Sequence, residues 1–222
     1  MHLGTYGCQA KELLHYLKSI HPTTLVLNGD IIDMWSFSKS YFPASHRNVL
    51  RQILKMSNQG TRVIYITGNH DEFLRKYTDL SMGNLFLTDK YLLEIEGKKH
   101  WIFHGDVFDH TTSGSAKFIA KLGGMGYDWL ILVNRAINWI LEKFGKGKVS
   151  LSKKVKNSVK KAVKFIGDFE KKATEIAINN HYDYVICGHI HQPQQRVVTT
   201  DKGTVTYLNS GDWIENLTAL EY

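Results

Sequence analysis

Cysteine is nearly absent from this 222-residue chain, which carries only Cys8 and Cys187. Two distant cysteines make no disulfide framework, so a reducing, cytoplasmic setting is the default reading. No leader pattern opens the chain, because Met1-His2-Leu3-Gly4 has no basic start followed by an apolar stretch. Long hydrophobic runs are missing as well. The longest, Trp129 to Val133, is interrupted beyond its end by Asn134, Arg135 and Asn138. A spanning helix needs about 20 apolar residues, and none is found. Internal repeats and low-complexity tracts are also lacking.

What is present is a composition that can bury a core. At 43% hydrophobic residues the chain is expected to form a single domain over 1–222, with an insertion. The formal charge of +7 is unevenly placed. Lys143, Lys146, Lys148, Lys153, Lys154, Lys156, Lys160, Lys161, Lys164, Lys171 and Lys172 are opposed locally only by Asp168 and Glu170, so the remainder is slightly acidic. Such a stretch suits phosphates, an anionic lipid surface or nucleic acid, or forms a plain solvated helix face. Nucleic acid is not expected, since the lysines have few interleaved aromatics for base stacking.

Periodicity predicts a helix over Ala10–Ile20, a strand at Thr24–Asn28, a helix over His46–Gln59 and a strand at Arg62–Thr67. Tyr91–Glu96 and Lys99–Phe103 flank Gly97-Lys98 as a hairpin, and Tyr184–Cys187 reads as a strand. Gln195–Thr199 and Thr204–Leu208 flank Asp201-Lys202-Gly203 as a second hairpin. Alternating helices and strands with late hairpins predict an α/β protein with a mixed sheet.

The middle of the chain, 107–180, reads as a helical insertion. An aromatic-rich stretch from Phe118 to Phe144, including Trp129 and Trp139, precedes Gly145-Lys146-Gly147-Lys148. Ser150 or Ser152 is a candidate cap for the next helix. In that helix Val155, Val159, Val163, Ile166, Phe169, Ala173 and Ile176 form an apolar stripe opposite the lysines. Two readings stay open: a helical hairpin packed on the core, or a lid whose apolar side meets lipid while its lysines meet phosphate.

Four apolar strands end directly before polar clusters: Gly29-Asp30-Ile31-Ile32-Asp33, Gly68-Asn69-His70-Asp71, His104-Gly105-Asp106 and Gly188-His189-Ile190-His191. Open α/β sheets place their sites outside the carboxyl ends of strands. Glycines there let the backbone turn sharply and bring ligands towards a shared centre. Carboxylates, imidazoles and an asparagine carbonyl without cysteine suit Mn²⁺, with Fe²⁺ or Zn²⁺ as alternatives. Asp30 is the natural bridge between two ions, and paired ions clamp an attacked phosphoryl group. His70 is the candidate to protonate the leaving oxygen.

In order and context these clusters resemble the calcineurin-like metallophosphoesterases, whose pattern runs Asp-x-His, Gly-Asp-x-x-Asp, Gly-Asn-His-(Asp/Glu), a later His and Gly-His-x-His. The resemblance implies a four-layer α/β/β/α sandwich with a helical lid insertion. It also implies one metal on His2, Asp30 and His191, and a second on Asp30, Asn69, His104 and His189. His70 would be the catalytic histidine, oriented by Asp71. Within the family the chain looks most like the UDP-2,3-diacylglucosamine diphosphatases of lipid A biosynthesis. That likeness rests on the insertion after His104-Gly105-Asp106, the basic helix and Asn209-Ser210-Gly211-Asp212-Trp213. It implies a phosphorylated, lipid-linked nucleotide substrate and peripheral contact with the inner face of the membrane through the basic insertion. His70 stands where that branch commonly carries arginine, so the alternative is a soluble phosphodiesterase or nucleotide phosphatase. The aspartate of the first motif, two positions before His2, is expected upstream of Met1, a metal-poor membrane-docking paralogue being the alternative.

Other polar residues read more plainly. Asp33 is expected to brace the Asp30 loop by hydrogen bonds, and Asp106 to be the outer partner of His104. Cys187 is expected to be inert core. His15, His21, His46, His100, His110 and His181 share no motif. Trp129 and Trp139 read as packing, and Trp35 as a residue that either borders the site or does not.

Overall fold

The computed structural model describes residues 1–35, 41–111 and 151–222. The aromatic-rich stretch with Trp129 and Trp139, and the lysines before Leu151, lie outside the described residues. Two compact units are distinguished: Met1–Val107 with Lys172–Tyr222, and Phe108–Lys171.

The larger unit is α/β with two mixed sheets. Helices α1 (Ala10–Ser19) and α2 (Ala44–Asn58) bury stripes at helical spacing: Ala10, Leu13 and Leu17 in the first, His46, Val49, Ile53 and Met56 in the second. The first sheet contains β1 (Thr24–Asn28), β2 (Arg62–Ile66), β3 (Ser81–Met82) and β4 (Leu85–Thr88), in the order β1-β2-β4-β3. β1, β2 and β4 run parallel, with Asn28 opposite Ile66. β3 and β4 escape the periodicity reading because runs of two and four residues carry no measurable alternation.

The second sheet contains β5 (Lys90–Ile95), β6 (Lys98–Phe103), β7 (Tyr184–Cys187), β8 (Gln194–Thr200) and β9 (Gly203–Asn209), in the order β5-β6-β7-β9-β8. Here β6, β7 and β9 are parallel and the hairpin partners antiparallel. The first hairpin turns at Glu96-Gly97, one residue before the expected Gly97-Lys98. Both Glu96 and Gly97 have positive φ, at 52° and 74°, as a tight two-residue turn between twisted strands requires.

β2 is apolar on both faces because both are covered. Val63 and Tyr65 join Leu27, Leu87 and the α1–α2 stripes in one core. Ile64 and Ile66 point the other way, to Ile102 of β6 with Val26, Phe86 and Ile186 packed alongside. The period-2 alternation of a strand accounts for this division.

Helix α3 (Leu151–Asn179) includes the predicted basic helix. Among its residues with described side chains, Phe169, Ala173, Thr174, Ala177 and Ile178 are buried, while Val163 is 63% and Ile176 37% exposed. Of the expected stripe, Phe169 and Ala173 are thus covered and Val163 and Ile176 are not, with Thr174 and Ile178 covered instead; Val155 and Val159 lie outside the described side chains. Within the smaller unit Phe169 meets Phe108 edge-on at 5.4 Å. No described helix is long and apolar enough to cross a membrane.

Candidate metal centre

The parallel strands deliver the polar clusters to one place. Asp30 follows β1, Asn69 and His70 follow β2, His104 follows β6, and His189 and His191 follow β7. The segment at His2 is laid beside the Asp30 loop by backbone bonds, His2 N–H to the Asp30 carbonyl at 2.7 Å and Asp33 N–H to the Leu3 carbonyl at 2.8 Å. His2, Asp30, His189 and His191 all have positive φ, between 51° and 64°. Left-handed backbone at four bulky residues is held by its surroundings and concentrates at functional sites.

Two glycines make room for this convergence. A Cβ at Gly29, where φ is +73°, would run into the His104 imidazole, and one at Gly68 into the Asp30 carboxylate and backbone nitrogen. Both positions need a side-chain-free backbone for His104 and Asp30 to pack as they do.

Among the described residues, three groups have donor atoms within 4.8 Å of one another: His2, Asp30 and His191; Asp30, His104 and His189; and His2, Asp33 and His70. The first two share Asp30 and correspond to the two ligand sets expected from the motifs. Asn69, assigned to the second set, buries its Oδ1 with no hydrogen-bond partner among the described residues.

Three of the imidazoles, His104, His2 and His191, are held from their far sides. His104 uses Nδ1 on the Asn28 carbonyl at 3.0 Å. Its Nε2 is 3.1 Å from Asp30 Oδ2, without hydrogen-bond alignment. His2 Nδ1 lies 3.4 Å from Asp33, and His191 Nδ1 lies 3.3 Å from Asp212. The Nε2 atoms of His2 and His191 then face one another at 3.2 Å. Facing imidazole nitrogens, an amide oxygen with no hydrogen-bond partner among the described residues and a central carboxylate form a donor set that fits divalent cations.

Electrostatics follow from burial and that crowding. Burial lowers the pKa of His2 to about 4, although Asp33 pulls it upward, so its ring is neutral and has a lone pair to give. Burial also opposes protonation of His104, but the charge and contact of Asp30 outweigh it and raise the pKa. Asp30 itself is pushed up by burial and down further by His104, His2 and His70, ending well below the usual carboxylate range.

Two expectations are corrected. The carboxylate beside His70 is Asp33, whose Oδ1 is 3.0 Å from His70 Nδ1. Asp71 serves instead as a buried acceptor for its neighbours. It takes the N–H of Gly68 at 2.6 Å, the N–H of Ile31 at 2.9 Å and the hydroxyl of Tyr65 at 2.6 Å. The outer partner of His104 is likewise the Asn28 carbonyl, while Asp106 is paired with Arg75 at 2.6 Å. Trp35 does border the site, its ring 4.1 Å from that of His70. Sequence reasoning missed Asp212 as a site residue and His46, whose Nδ1 accepts the Gly4 N–H at 2.9 Å and steadies the His2 loop. Asp212 carries a signal in Gly211-Asp212-Trp213; His46 carries none.

Carboxylates and imidazoles gathered at parallel strand ends of an α/β fold make a metallohydrolase-type centre. A family model for calcineurin-like phosphoesterases matches residues 2–193, and the chain belongs to that family. It is 24% identical over 208 residues to a UDP-2,3-diacylglucosamine hydrolase of Aliivibrio fischeri, covering 92% of this chain and 83% of the relative. A protein of the same name from Escherichia coli O81 is 26% identical over 190 residues, covering 85% and 77%. Among solved structures, a conserved uncharacterized protein from Streptococcus pneumoniae TIGR4 is similar at 15% identity and TM-score 0.35, over 92% of this chain and 66% of that one, just under two thirds. A novel archaeal phosphodiesterase is similar at 15% identity and TM-score 0.35, over 91% and 75%. Similarities at that TM-score add nothing to the family assignment.

Proposed function

We propose that the chain is a dinuclear metal-dependent phosphohydrolase that cleaves the phosphoanhydride of a UDP-2,3-diacylglucosamine-type substrate, as in lipid A biosynthesis. The carrying observation is the pair of donor groups that share Asp30. His2, Asp30 and His191 would hold one ion, and Asp30, Asn69, His104 and His189 the other, with Mn²⁺ favoured by the oxygen and nitrogen donors. Two divalent ions bound there supply Lewis-acid polarisation of a phosphoryl group and a nucleophile at neutral pH. In this reading the fold is a four-layer α/β/β/α sandwich. Residues 107–180 serve as its helical lid, and the lysines of α3 meet an anionic lipid surface at the cytoplasmic face.

The residues of the chain do the remaining work. Asp33 and Trp35 hold the His70 ring from two sides, leaving His70 to pass a proton to the leaving phosphate oxygen as the P–O bond breaks. His70→Ala is expected to lower kcat by about 10²–10⁴-fold with metal content unchanged.

A second reading, a hydrolase of small soluble phosphodiesters or nucleotides, is favoured by His70 in place of the arginine common in the diacylglucosamine branch. The Mn²⁺-loaded protein should be assayed against UDP-2,3-diacylglucosamine and a soluble diester in parallel. UMP release supports the first reading, and cleavage of the soluble diester alone supports the second. No hydrolysis of either overturns both.

A further inference from the structure

The Gly188–His191 turn is gripped from the end of β9. Asn209 Nδ2 donates to the Gly188 carbonyl at 2.8 Å, and Asn216 Nδ2 donates to the His191 carbonyl at 3.0 Å. Asp212 is the centre of this strap. Its Oδ1 accepts the backbone N–H groups of Ile214, Glu215 and Asn216 at 2.8, 2.7 and 3.2 Å. Its Oδ2 accepts from Asn216 Nδ2 at 2.8 Å and lies 3.3 Å from His191 Nδ1. The residue is only 5% exposed. This carboxylate is therefore oriented by the strap itself, independently of the histidine it faces.

The facing rings of His2 and His191 make that orientation consequential. With Nε2 atoms 3.2 Å apart, the two imidazoles have a competing arrangement: one Nε2–H donates to the other ring, and the pair satisfies itself. An imidazole has one N–H in its neutral form, so the hydrogen bond at one nitrogen decides which nitrogen keeps a lone pair. A fixed acceptor at Nδ1 draws the proton there and frees Nε2 for a cation.

We propose that Asp212 is the positioning residue of the His191 side of the centre, selecting the Nδ1–H tautomer and keeping the His2–His191 pair from closing on itself. The proposal rests on the dinuclear reading above. Asp212 faces His191 of the first ligand set, so its effect is read on the ion that His191 would hold.

Asp212→Asn is the discriminating variant. The amide oxygen still accepts the three backbone N–H groups, but an NH₂ replaces Oδ2 and confronts the Nδ1–H of His191. The ring then takes the opposite tautomer, with Nδ1 accepting and Nε2 carrying the proton. Two measurements on the full chain test this. Mn²⁺ titration with elemental analysis should give two ions for wild type, and for the variant one unchanged site and one weakened by about 10–100-fold. Long-range ¹H–¹⁵N NMR of the metal-free proteins should show His191 protonated at Nδ1 in wild type and at Nε2 in the variant, a change that a purely structural strap would not produce.

Two tight ions together with an unchanged tautomer in Asp212→Asn overturn the proposal. Should that variant fail to fold, a wild-type His191 protonated at Nε2 overturns it, and one protonated at Nδ1 upholds it. A wild type that binds fewer than two ions overturns the dinuclear reading instead, while the tautomer still decides the role of Asp212.

Discussion

The buried carboxylate of Asp71 accepts the backbone N–H of Ile31 at 2.9 Å across forty residues of sequence, joining the loop after β1 to the loop after β2. The same carboxylate holds Gly68 N–H and the Tyr65 hydroxyl. Burial and this neighbour raise the Tyr65 pKa far above the ordinary tyrosine value, so the phenol stays a donor. The two loops that bring Asp30 and Asn69 together are thus braced from beneath.

Asp71→Ala leaves three donors without an acceptor in a fully buried place. Each buried unsatisfied group costs about 1–3 kcal/mol, so a loss of about 3 kcal/mol or more is expected in urea denaturation. Unchanged stability with lost activity would instead give Asp71 the catalytic role that its place beside His70 suggests.

Gly68→Ala puts a methyl group where the Asp30 carboxylate and backbone nitrogen now sit. The expected result is a displaced Asp30, at least tenfold weaker binding of both ions and a smaller effect on the fold. Isothermal titration with Mn²⁺, alongside a denaturation curve, separates the two effects. Full retention of affinity would contradict the close packing of these loops.

His2 and His104 make the stability of the metal-free protein depend on pH with opposite signs. Burial depresses the His2 pKa to about 4, so its contribution is whole above the unfolded value of about 6.5 and is lost as pH falls towards 4, by about 3 kcal/mol. His104 has the opposite sign. Its folded pKa is raised, so its contribution is whole below about pH 6.5 and fades as pH rises through the folded value. Urea midpoints with a chelator from pH 7 down to 4 should fall as the His2 contribution is lost; an unchanged midpoint over that range would contradict it. Adding Mn²⁺ at pH 7 in weak buffer should release protons, because the imidazole ligands must be neutral.

Cys8 and Cys187 are both buried, and burial raises the Cys8 thiol to about 11 and Cys187 well above its ordinary value. The thiolate is the reactive form, so a thiol-specific dye at pH 8 should label neither in the native protein and both in denaturant. Rapid native labelling would mean that β7 or the segment around Cys8 opens readily.

Much of the architecture was legible from local pattern. Leu13 and Leu17, or Val49, Ile53 and Met56, repeat at the helical interval, and Val63 to Ile66 form the unbroken apolar run of a strand covered on both sides. The strand-end clusters were legible because metal-ligand residue types rarely follow four separate strands together. β3 and β4 were not, being too short to show a period. The pairing of His70 with Asp33 was also hidden, because Asp71 is adjacent in sequence and Asp33 is adjacent only after β1 and β2 pair in register.

The sequence by itself determined the family, the strand ends that carry the candidate ligands and the residue types that converge. These follow from spacing along single elements and from the order of motifs. Only the tertiary structure decided which nitrogen of His2, His104 and His191 faces the centre. It alone assigned the outer partners Asn28, Asp33 and Asp212, and it made Asp71 a brace instead of a partner for His70. A hydrogen bond is fixed by direction and separation in three dimensions, and segments more than twenty residues apart acquire both only when the two sheets are built.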